Sequence, residues 1–383
     1  MANDELTGNL LRVAPDQSID EDDPIQAVLA AYTRDLGTAI DRILAEFLTP
    51  EVDSLREIDA AMGDFAATAR DCVLAGGKRV RSTFAYWGWR GVVGADQPVD
   101  PVLPALATLE LLHTFALVHD DVMDASALRR GRPTAHVAVA SRHAAAGRNG
   151  NSDRFGEAVA VLIGDLCMVW ADQLLARTAL PAPQLMQVRR GYDRMRVETI
   201  AGQYLDVLGE TDPSNWSVDR ALRVARYKTA SYTVQRPLLF GASLCGADDA
   251  TVITAYTRYG RSVGEAFQLR DDLLGVYGDP LTTGKPAGDD LRTGKPTALL
   301  MLARQLASPA QRRALAGTGP HVTESAVAQL AEVVRDTGAV DRIERMIDER
   351  IEDALATLDA LTIDETARTA LVGLATAAAR RSA

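Results

Sequence analysis

The chain has 383 residues, 47% of them hydrophobic and 24% charged, with 41 Lys and Arg against 52 Asp and Glu for a formal net charge of −11. That length suits one large core or two modest domains. The acidic balance excludes a general nucleic-acid binder, whose phosphate contacts need many cations, but it leaves room for a local anion site.

Residues 1 to 24 are acidic, poor in large apolar side chains and end at Pro24, so they are expected to form a disordered tail ahead of an all-helical domain over 25–383. From Ile25 onward apolar positions recur at helical spacing. Breaks fall near Thr49-Pro50, Gly76-Gly77, Gly94 to Pro104, Arg148 to Asp153, Leu180 to Pro183, Thr211 to Asn215, Cys245 to Asp248, Gly278 to Gly288 and Thr318 to Pro320. The pattern predicts roughly ten to thirteen helices and no strand, with Ala144 to Ser152 as a flexible surface loop. No fixed-period repeat occurs, which excludes a solenoid.

Cys72, Cys167 and Cys245 are far apart and in none of the paired spacings of zinc or redox sites, so a reduced, cytoplasmic protein is expected. The longest apolar stretch, Ala158 to Leu175, is broken by Asp165 and Asp172, and no membrane span is expected. Met1 to Glu5 lacks a basic and apolar signal pattern. Any lipid contact is expected to be peripheral.

Candidate chemistry begins at Gly76-Gly77-Lys78-Arg79-Val80-Arg81, where two glycines open a helix and Lys78 and Arg81 stand at i, i+3. Free N–H groups, a positive helix end and two cations make an anion seat, although such a cluster taken alone is an ordinary solvated face. His113 lies seven residues before Asp120, within about 20° of the same helical face. In His119-Asp120-Asp121-Val122-Met123-Asp124, Asp120 and Asp124 lie about 40° apart, with Asp121 roughly 100° round. Crowded carboxylates repel unless a cation neutralises them, and hard oxygen donors favour Mg²⁺ shared with phosphate oxygens. Arg129-Arg130-Gly131 follows, with adjacent planar forks that diverge toward different phosphates.

Gly202-Gln203-Tyr204-Leu205-Asp206, Lys228-Thr229 and Phe267-Gln268 then place polar groups in apolar helical stretches, and each singly fits core satisfaction equally well. Gln268 sits three residues before Asp271 in a second cluster, Asp271-Asp272-Leu273-Leu274-Gly275, and so on nearly the same face. Gly284-Lys285 and Gly294-Lys295 are each followed by proline rather than Ser or Thr and lack the earlier glycine of a P-loop.

In this order and spacing, over residues 70 to 300, the segments resemble the trans-isoprenyl diphosphate synthases of the polyprenyl synthetase family, most like short-chain geranylgeranyl and farnesyl diphosphate synthases. The resemblance implies an all-α bundle around a central deep cavity, usually a homodimer, using isopentenyl diphosphate and allylic prenyl diphosphates. It implies that Asp120, Asp124 and Asp271 hold three Mg²⁺ ions, supported by Asp121 and Asp272. Arg129, Lys228 and Lys285 would neutralise the allylic diphosphate, Lys78, Arg81, His113 and Arg130 would bind isopentenyl diphosphate, and Thr229 and Gln268 would turn oxygens toward the allylic cation. The released diphosphate would accept the final proton.

One position departs from the family pattern: Gly275 stands where many relatives carry a third aspartate, with Asp279 a weaker substitute two turns past Asp271. Phe115, five residues before Asp120, lies about 7.5 Å along the helix, where a growing prenyl tail would descend. In the family that the chain resembles an aromatic at this position goes with C15 to C20 products, and with the small Ala116 beside it the resemblance implies a geranylgeranyl (C20) product, farnesyl (C15) being second. A class I terpene cyclase would share the first cluster but not Lys78, Arg81 and His113, and a non-catalytic modulatory subunit should have lost ligands that this chain keeps. A metal hydrolase at His119-Asp120 lacks further ligands at suitable spacing.

Overall fold

The computed structural model describes residues 24–212, 215–246, 249–279, 288–319 and 322–380. The expected disordered tail lies outside the described residues except for Pro24, where the first helix opens. Helices α1 (Pro24–Ile58), α2 (Met62–Leu74), α3 (Val80–Val93) and α4 (Leu103–Met123) come first, followed by a hairpin of β1 (Leu128–Arg129) and β2 (Arg132–Pro133). Then come α5 (Ala135–Ala145), α6 (Ser152–Ala176), α7 (Ala182–Thr211) and α8 (Val218–Val224), which runs into a π-helical segment, Ala225–Gln235. The chain continues through α9 (Arg236–Ser243), α10 (Ala250–Tyr277), α11 (Asp289–Thr293), α12 (Ala298–Leu306), α13 (Pro309–Leu315), α14 (Glu324–Asp336), α15 (Ala339–Asp359) and α16 (Glu365–Ala379).

The helices are more numerous than periodicity predicts, because turns such as 294–297 and 307–308 carry no long break in the apolar pattern. Conversely, α1 runs straight through Pro50, where a break is expected. The hairpin is the one departure from helix among the described residues, and it pairs Leu128 with Pro133 and Arg129 with Arg132. Arg130 (φ 52°) and Gly131 (φ 72°) form its two-residue loop, the positive-φ pair that a tight hairpin needs.

Local signals set the helix starts near the site. Asn151 Oδ1 accepts from Arg154 N at 2.9 Å to open α6, and Asp249 Oδ1 accepts from Thr251 N at 2.7 Å to open α10. Pro104 falls in the first turn of α4, where its missing N–H costs nothing. That helix is buried over most of its length, and it packs on α6, α1 and α3.

Two apolar clusters make the core. The larger joins α1, α3, α4, α6 and α7 around Leu44, Leu109, Trp170 and Tyr192, and the smaller gathers Leu269, Leu273, Leu299 and Ile343. Helix α10 belongs to both, Tyr259 and Val263 facing the first and Leu269 and Leu273 the second. It thereby fixes the second acidic cluster relative to α4.

Helices α4 and α6 are long and apolar enough to pass for membrane spans by length and composition alone, as core helices also do. The α4 window is two-thirds buried in the core, whereas α6 leaves Phe155, Leu162 and Val169 exposed at seven-residue spacing.

Candidate active site

Asp120 and Asp121 sit in the last turn of α4, and Asp124 caps its C-terminus. Carboxylates at a helix C-terminus meet the negative end of the dipole, so they need cations from elsewhere. Lys228 Nζ lies 2.9 Å from Asp120 Oδ1 and 2.5 Å from Asp206 Oδ2. Lys295 Nζ lies 2.9 Å from the same Asp206 oxygen, 3.8 Å from Glu210 and 4.0 Å from Asp124. Asp206, 5% exposed on α7, is therefore the hub that holds two lysines under the first acidic cluster. Gln203, one turn earlier on α7, donates from Nε2 to Asp120 at 3.0 Å.

Burial alone would raise the Asp206 and Asp120 carboxyls, but Lys295 and Lys228 outweigh it and hold both below the ordinary range. Burial would lower both lysines, and the Lys295 charge would lower Lys228 further, yet the surrounding carboxylates keep both above their ordinary value. Asp124 is pushed up by burial and by the Asp120 charge. Two ammoniums, Lys228 and Lys295, thus serve four carboxylates, Asp120, Asp124, Asp206 and Glu210, as single-point cations able to change partner.

The π segment carries Lys228 and Thr229, with a widened turn of the kind found at functional sites. Its seat depends on Gly202 of α7, where a Cβ would lie 2.3 Å from Lys228 N. Any side chain there would push Lys228 away from Asp120 and Asp206.

Asp121 turns the other way. It is buried, and Arg129 reaches it from the hairpin through Nη2 at 2.6 Å and Nε at 2.8 Å, with Asp120 3.6 Å away. Burial raises Asp121, and the Arg129 fork only partly offsets that. Asp121 therefore anchors Arg129 beside the cluster.

Across the crevice, α10 presents Gln268, Asp271 and Asp272. Asp272 is buried and accepts from Gln268 Nε2 at 2.8 Å and from Ala298 N at 3.0 Å, and burial pushes its carboxyl up to about 7. With both oxygens taken up by the chain, Asp272 positions Gln268, whose amide oxygen is left for the crevice that it lines with Thr229 and Lys228. Asp271 is half-buried, and Asp279 is exposed beyond the end of α10. Lys285 lies outside the described residues. Among the described residues no group of three or more His, Cys, Asp or Glu converges closely enough to hold a metal by itself. Asp120 and Asp124 fit Mg²⁺ as hard oxygen donors that share the ion with phosphate oxygens.

The basic side is built from α3, α4 and the hairpin. Helix α3 begins at Val80, later than the two glycines suggest, so exposed Lys78 belongs to the preceding loop. Arg79, in the left-handed region at φ 48°, is buried and pairs with Glu110 at 3.0 Å and Asp41 at 2.6 Å, while Ser82 donates to Glu110 at 2.7 Å. Arg81 stacks over Tyr232 at 4.1 Å and donates to Thr233 at 3.0 Å. Its Nε is buried without a partner among the described residues, an N–H that asks for an acceptor. Arg130 reaches back to the Gly76 carbonyl, and a Cβ on Gly77 would lie 2.9 Å from both of its terminal nitrogens. Gly77 thus admits the Arg130 fork. His113 Nδ1 lies 3.3 Å from Tyr232 Oη; burial, then Arg81, Arg130, Arg129 and Arg79, hold its pKa well below the ordinary value, so the ring is neutral.

Phe115 is 9% exposed and meets His119 edge to face at 4.9 Å, with Ala116 half-buried against the same core. Among the described residues the fold joins Asp120 to Lys228 and Arg129, lines one crevice with Lys228, Thr229, Gln268 and Asp272, and gathers Arg81, His113 and Arg130 on a basic side, while Lys78 stays exposed in its loop and Asp279 stays exposed past α10. Sequence reasoning missed Arg79, Glu110, Lys295 and Glu210, and gave Gln203 and Asp206 no role. Glu110 alone had a usable signal, a single charge inside the apolar run Leu103 to Val118, which a buried cation must answer.

An all-α crevice with ionised carboxylates facing a separate arginine pocket defines a class, helical enzymes that handle diphosphates. Residues 64–336 match the polyprenyl synthetase family. The chain is 34% identical to the geranylgeranyl diphosphate synthase of Mycobacterium tuberculosis over 87% of its own length and 91% of that protein. It is 30% identical to the geranylfarnesyl diphosphate synthase of Aeropyrum pernix over 84% and 93%. The structure of geranylgeranyl pyrophosphate synthase from Corynebacterium glutamicum, complexed with isoprenyl diphosphate and magnesium, superimposes with a TM-score of 0.86 at 40% identity, covering 90% of this chain and 98% of that one. The chain belongs to the polyprenyl synthetase family. It is a trans-prenyltransferase, like the geranylgeranyl diphosphate synthases that it matches.

Proposed function

We propose that the chain condenses isopentenyl diphosphate with allylic diphosphates of C5 to C15 and releases geranylgeranyl diphosphate, C20, with farnesyl diphosphate, C15, as the second choice. The observation that carries the reading is the lysine-bridged set Asp120, Asp206, Lys228 and Lys295 beside a separate cation pocket of Arg81, Arg130 and neutral His113. Two diphosphates need two such pockets.

In this reading Asp120, Asp124 and Asp271 hold three magnesium ions, whose chemistry when bound is Lewis-acid stabilisation of the departing allylic diphosphate. Lys228 exchanges Asp120 for a phosphate oxygen, and Arg129, steadied by Asp121, takes another. Lys78, Arg81, His113 and Arg130 grip isopentenyl diphosphate, whose oxygens satisfy the unpartnered Arg81 Nε. Thr229 and the Gln268 oxygen face the allylic carbon as its C–O bond breaks. The isopentenyl double bond then forms the new carbon–carbon bond, and the released diphosphate takes the proton. Phe115, with Ala116 beside it, closes the far end of the tail channel.

The active unit is a homodimer. Supporting it, α6 exposes Phe155, Leu162 and Val169, and α7 exposes Val197, Ile200 and Tyr204, apolar area that a second copy would cover. We place it in the cytoplasm, where cysteine thiols stay reduced. The test is incubation with Mg²⁺, isopentenyl diphosphate and, separately, C5, C10 and C15 allylic diphosphates, followed by chain-length analysis of the dephosphorylated products. Linear C20 alcohol supports the reading. No condensation by a folded dimer would make it a modulatory subunit, and cyclic hydrocarbon without isopentenyl diphosphate would make it a cyclase.

A further inference from the structure

Gly164 brings the backbone of α6 against one side chain of α4, the His119 ring that directly precedes the acidic cluster. A Cβ built on Gly164 would lie 2.2 Å from both His119 Cδ2 and His119 Nε2, so the imidazole rests where any larger residue would begin. The ring is also tethered there. Nε2 lies 2.9 Å from the Val161 carbonyl oxygen, which can only accept, so Nε2 carries the proton and donates it. That carbonyl lies inside α6, and its second lone pair takes the imidazole. Asp165 Oδ1 stands 3.7 Å from the same nitrogen, beyond hydrogen-bond reach. Notch and tether leave the His119 side chain 16% exposed and fix one orientation of its ring.

On α4 the fixed ring meets Phe115. Phe115 stands four residues earlier, so the two side chains share one face of the helix. Their centroids are 4.9 Å apart with the planes at 67°, the edge-to-face geometry that aromatic pairs prefer. The helix by itself leaves a phenylalanine a choice of staggered rotamers. An imidazole held on the α6 backbone selects among them, because a phenyl ring that leans elsewhere gives up the pair.

We propose that His119 is a positioning residue for product length: seated in the Gly164 notch, it sets the lean of the Phe115 ring and with it the depth at which the prenyl tail is stopped. The device is a stack of Gly164, His119 and Phe115, built across α6 and α4. The proposal rests on the reading of Phe115 as the far end of the tail channel.

The test compares the dephosphorylated products of full-length variants at equal, low conversion, with melting temperatures recorded beside them. His119→Ala removes the support under the ring and should raise C25 alcohol relative to C20 by about three- to tenfold, the change in partition that one lost aromatic pair supports. The same change made in a Phe115→Ala background should add no further length, because the ring that it steers is gone. Gly164→Ala leaves α4 untouched, drives the imidazole toward Phe115, and should shift the profile toward C15; it carries the test alone if His119→Ala does not fold. A wild-type profile from either folded variant would overturn the proposal. So would equal lengthening by His119→Ala with and without the Phe115 ring, the signature of a loosened α4 or of a side chain that lines the channel directly. An unchanged profile in Phe115→Ala would instead remove the reading of Phe115 as the floor, so the two failures are distinguishable.

Discussion

Arg226 and Lys228 leave the same π segment two residues apart and enter two buried charge networks of opposite character. Arg226 joins Arg350 and Arg261 on Glu265, at 2.8, 3.0 and 3.1 Å, in a closed set of planar forks on one carboxylate that is 5% exposed. Lys228 joins Lys295 on Asp206 and touches Asp120, a set of point charges in which every carboxylate shares its cations. Guanidinium forks fix geometry, whereas ammoniums on flexible stems change partner at little cost. The first network holds α10 against α15 and the π segment; the second is the one proposed to exchange partners for a diphosphate and its metals.

The largest expected effect belongs to the exchangeable network. Asp120→Ala should lower condensation by more than about a thousandfold, with the melting temperature within about 4 °C of wild type, because Lys228 keeps Asp206. A radiolabelled product assay beside calorimetry checks both, and turnover near wild type would end the metal-site assignment. Glu265→Gln should do the reverse. It leaves three guanidiniums around a neutral amide and should cost about 3–5 kcal/mol of stability, while turnover per folded molecule stays close to wild type.

The same contrast has a pH signature. Burial would raise the Glu265 carboxyl, but Arg350, Arg226 and Arg261 outweigh it and hold its folded pKa below the ordinary 4.5. Its stabilisation is therefore complete above pH 4.5 and lost as pH falls through the lower folded value. Denaturant unfolding between pH 5 and 3 should show wild type losing stability more steeply than Glu265→Gln. Parallel curves would mean that the forks act through shape alone.

Asp206→Asn is a smaller and sharper test. Without the hub charge, Lys228 and Lys295 should lean harder on Asp120 and Asp124 and compete with metal, which raises the Mg²⁺ requirement about tenfold. The rate at saturating Mg²⁺ should change much less. Loss of rate with an unaltered Mg²⁺ requirement would make Asp206 a part of the substrate pocket instead.

The two networks also differ in what the sequence discloses. Asp120 and Asp124 are legible because one helix carries both at i, i+4, and Gly76-Gly77 with Lys78 and Arg81 are legible as a local cluster. Lys295 is not, since its meaning is a contact with Asp206, 89 residues away, and its own neighbours look only like a failed nucleotide loop. Arg79 sits between two expected ligands yet points into the core, because the left-handed turn at φ 48° reverses it toward Glu110 and Asp41. The all-helical class follows from composition and period, while the two-residue hairpin that aims Arg129 and Arg130 apart is too short to leave a periodic trace. The π segment leaves none either, because its widened turn depends on the approach of α7 at Gly202.

Phe115 gives the smallest expected change in rate and the clearest change in product. It lies on α4 on the core side of the acidic cluster, packed edge to face on His119, with Ala116 offering little bulk beside it. If this ring is the floor, Phe115→Ala opens the channel and lets one or more further five-carbon units enter before release, at a condensation rate set by the untouched Asp120 and Lys228. The truncation also removes core packing worth about 3 kcal/mol, so the variant should melt earlier, and product length must be read well below its melting temperature. A shift from C20 toward C25 and longer alcohols would assign the ruler to α4. An unchanged profile in a folded, active variant would move the ruler to another helix lining the channel, leaving Phe115 as core packing for His119.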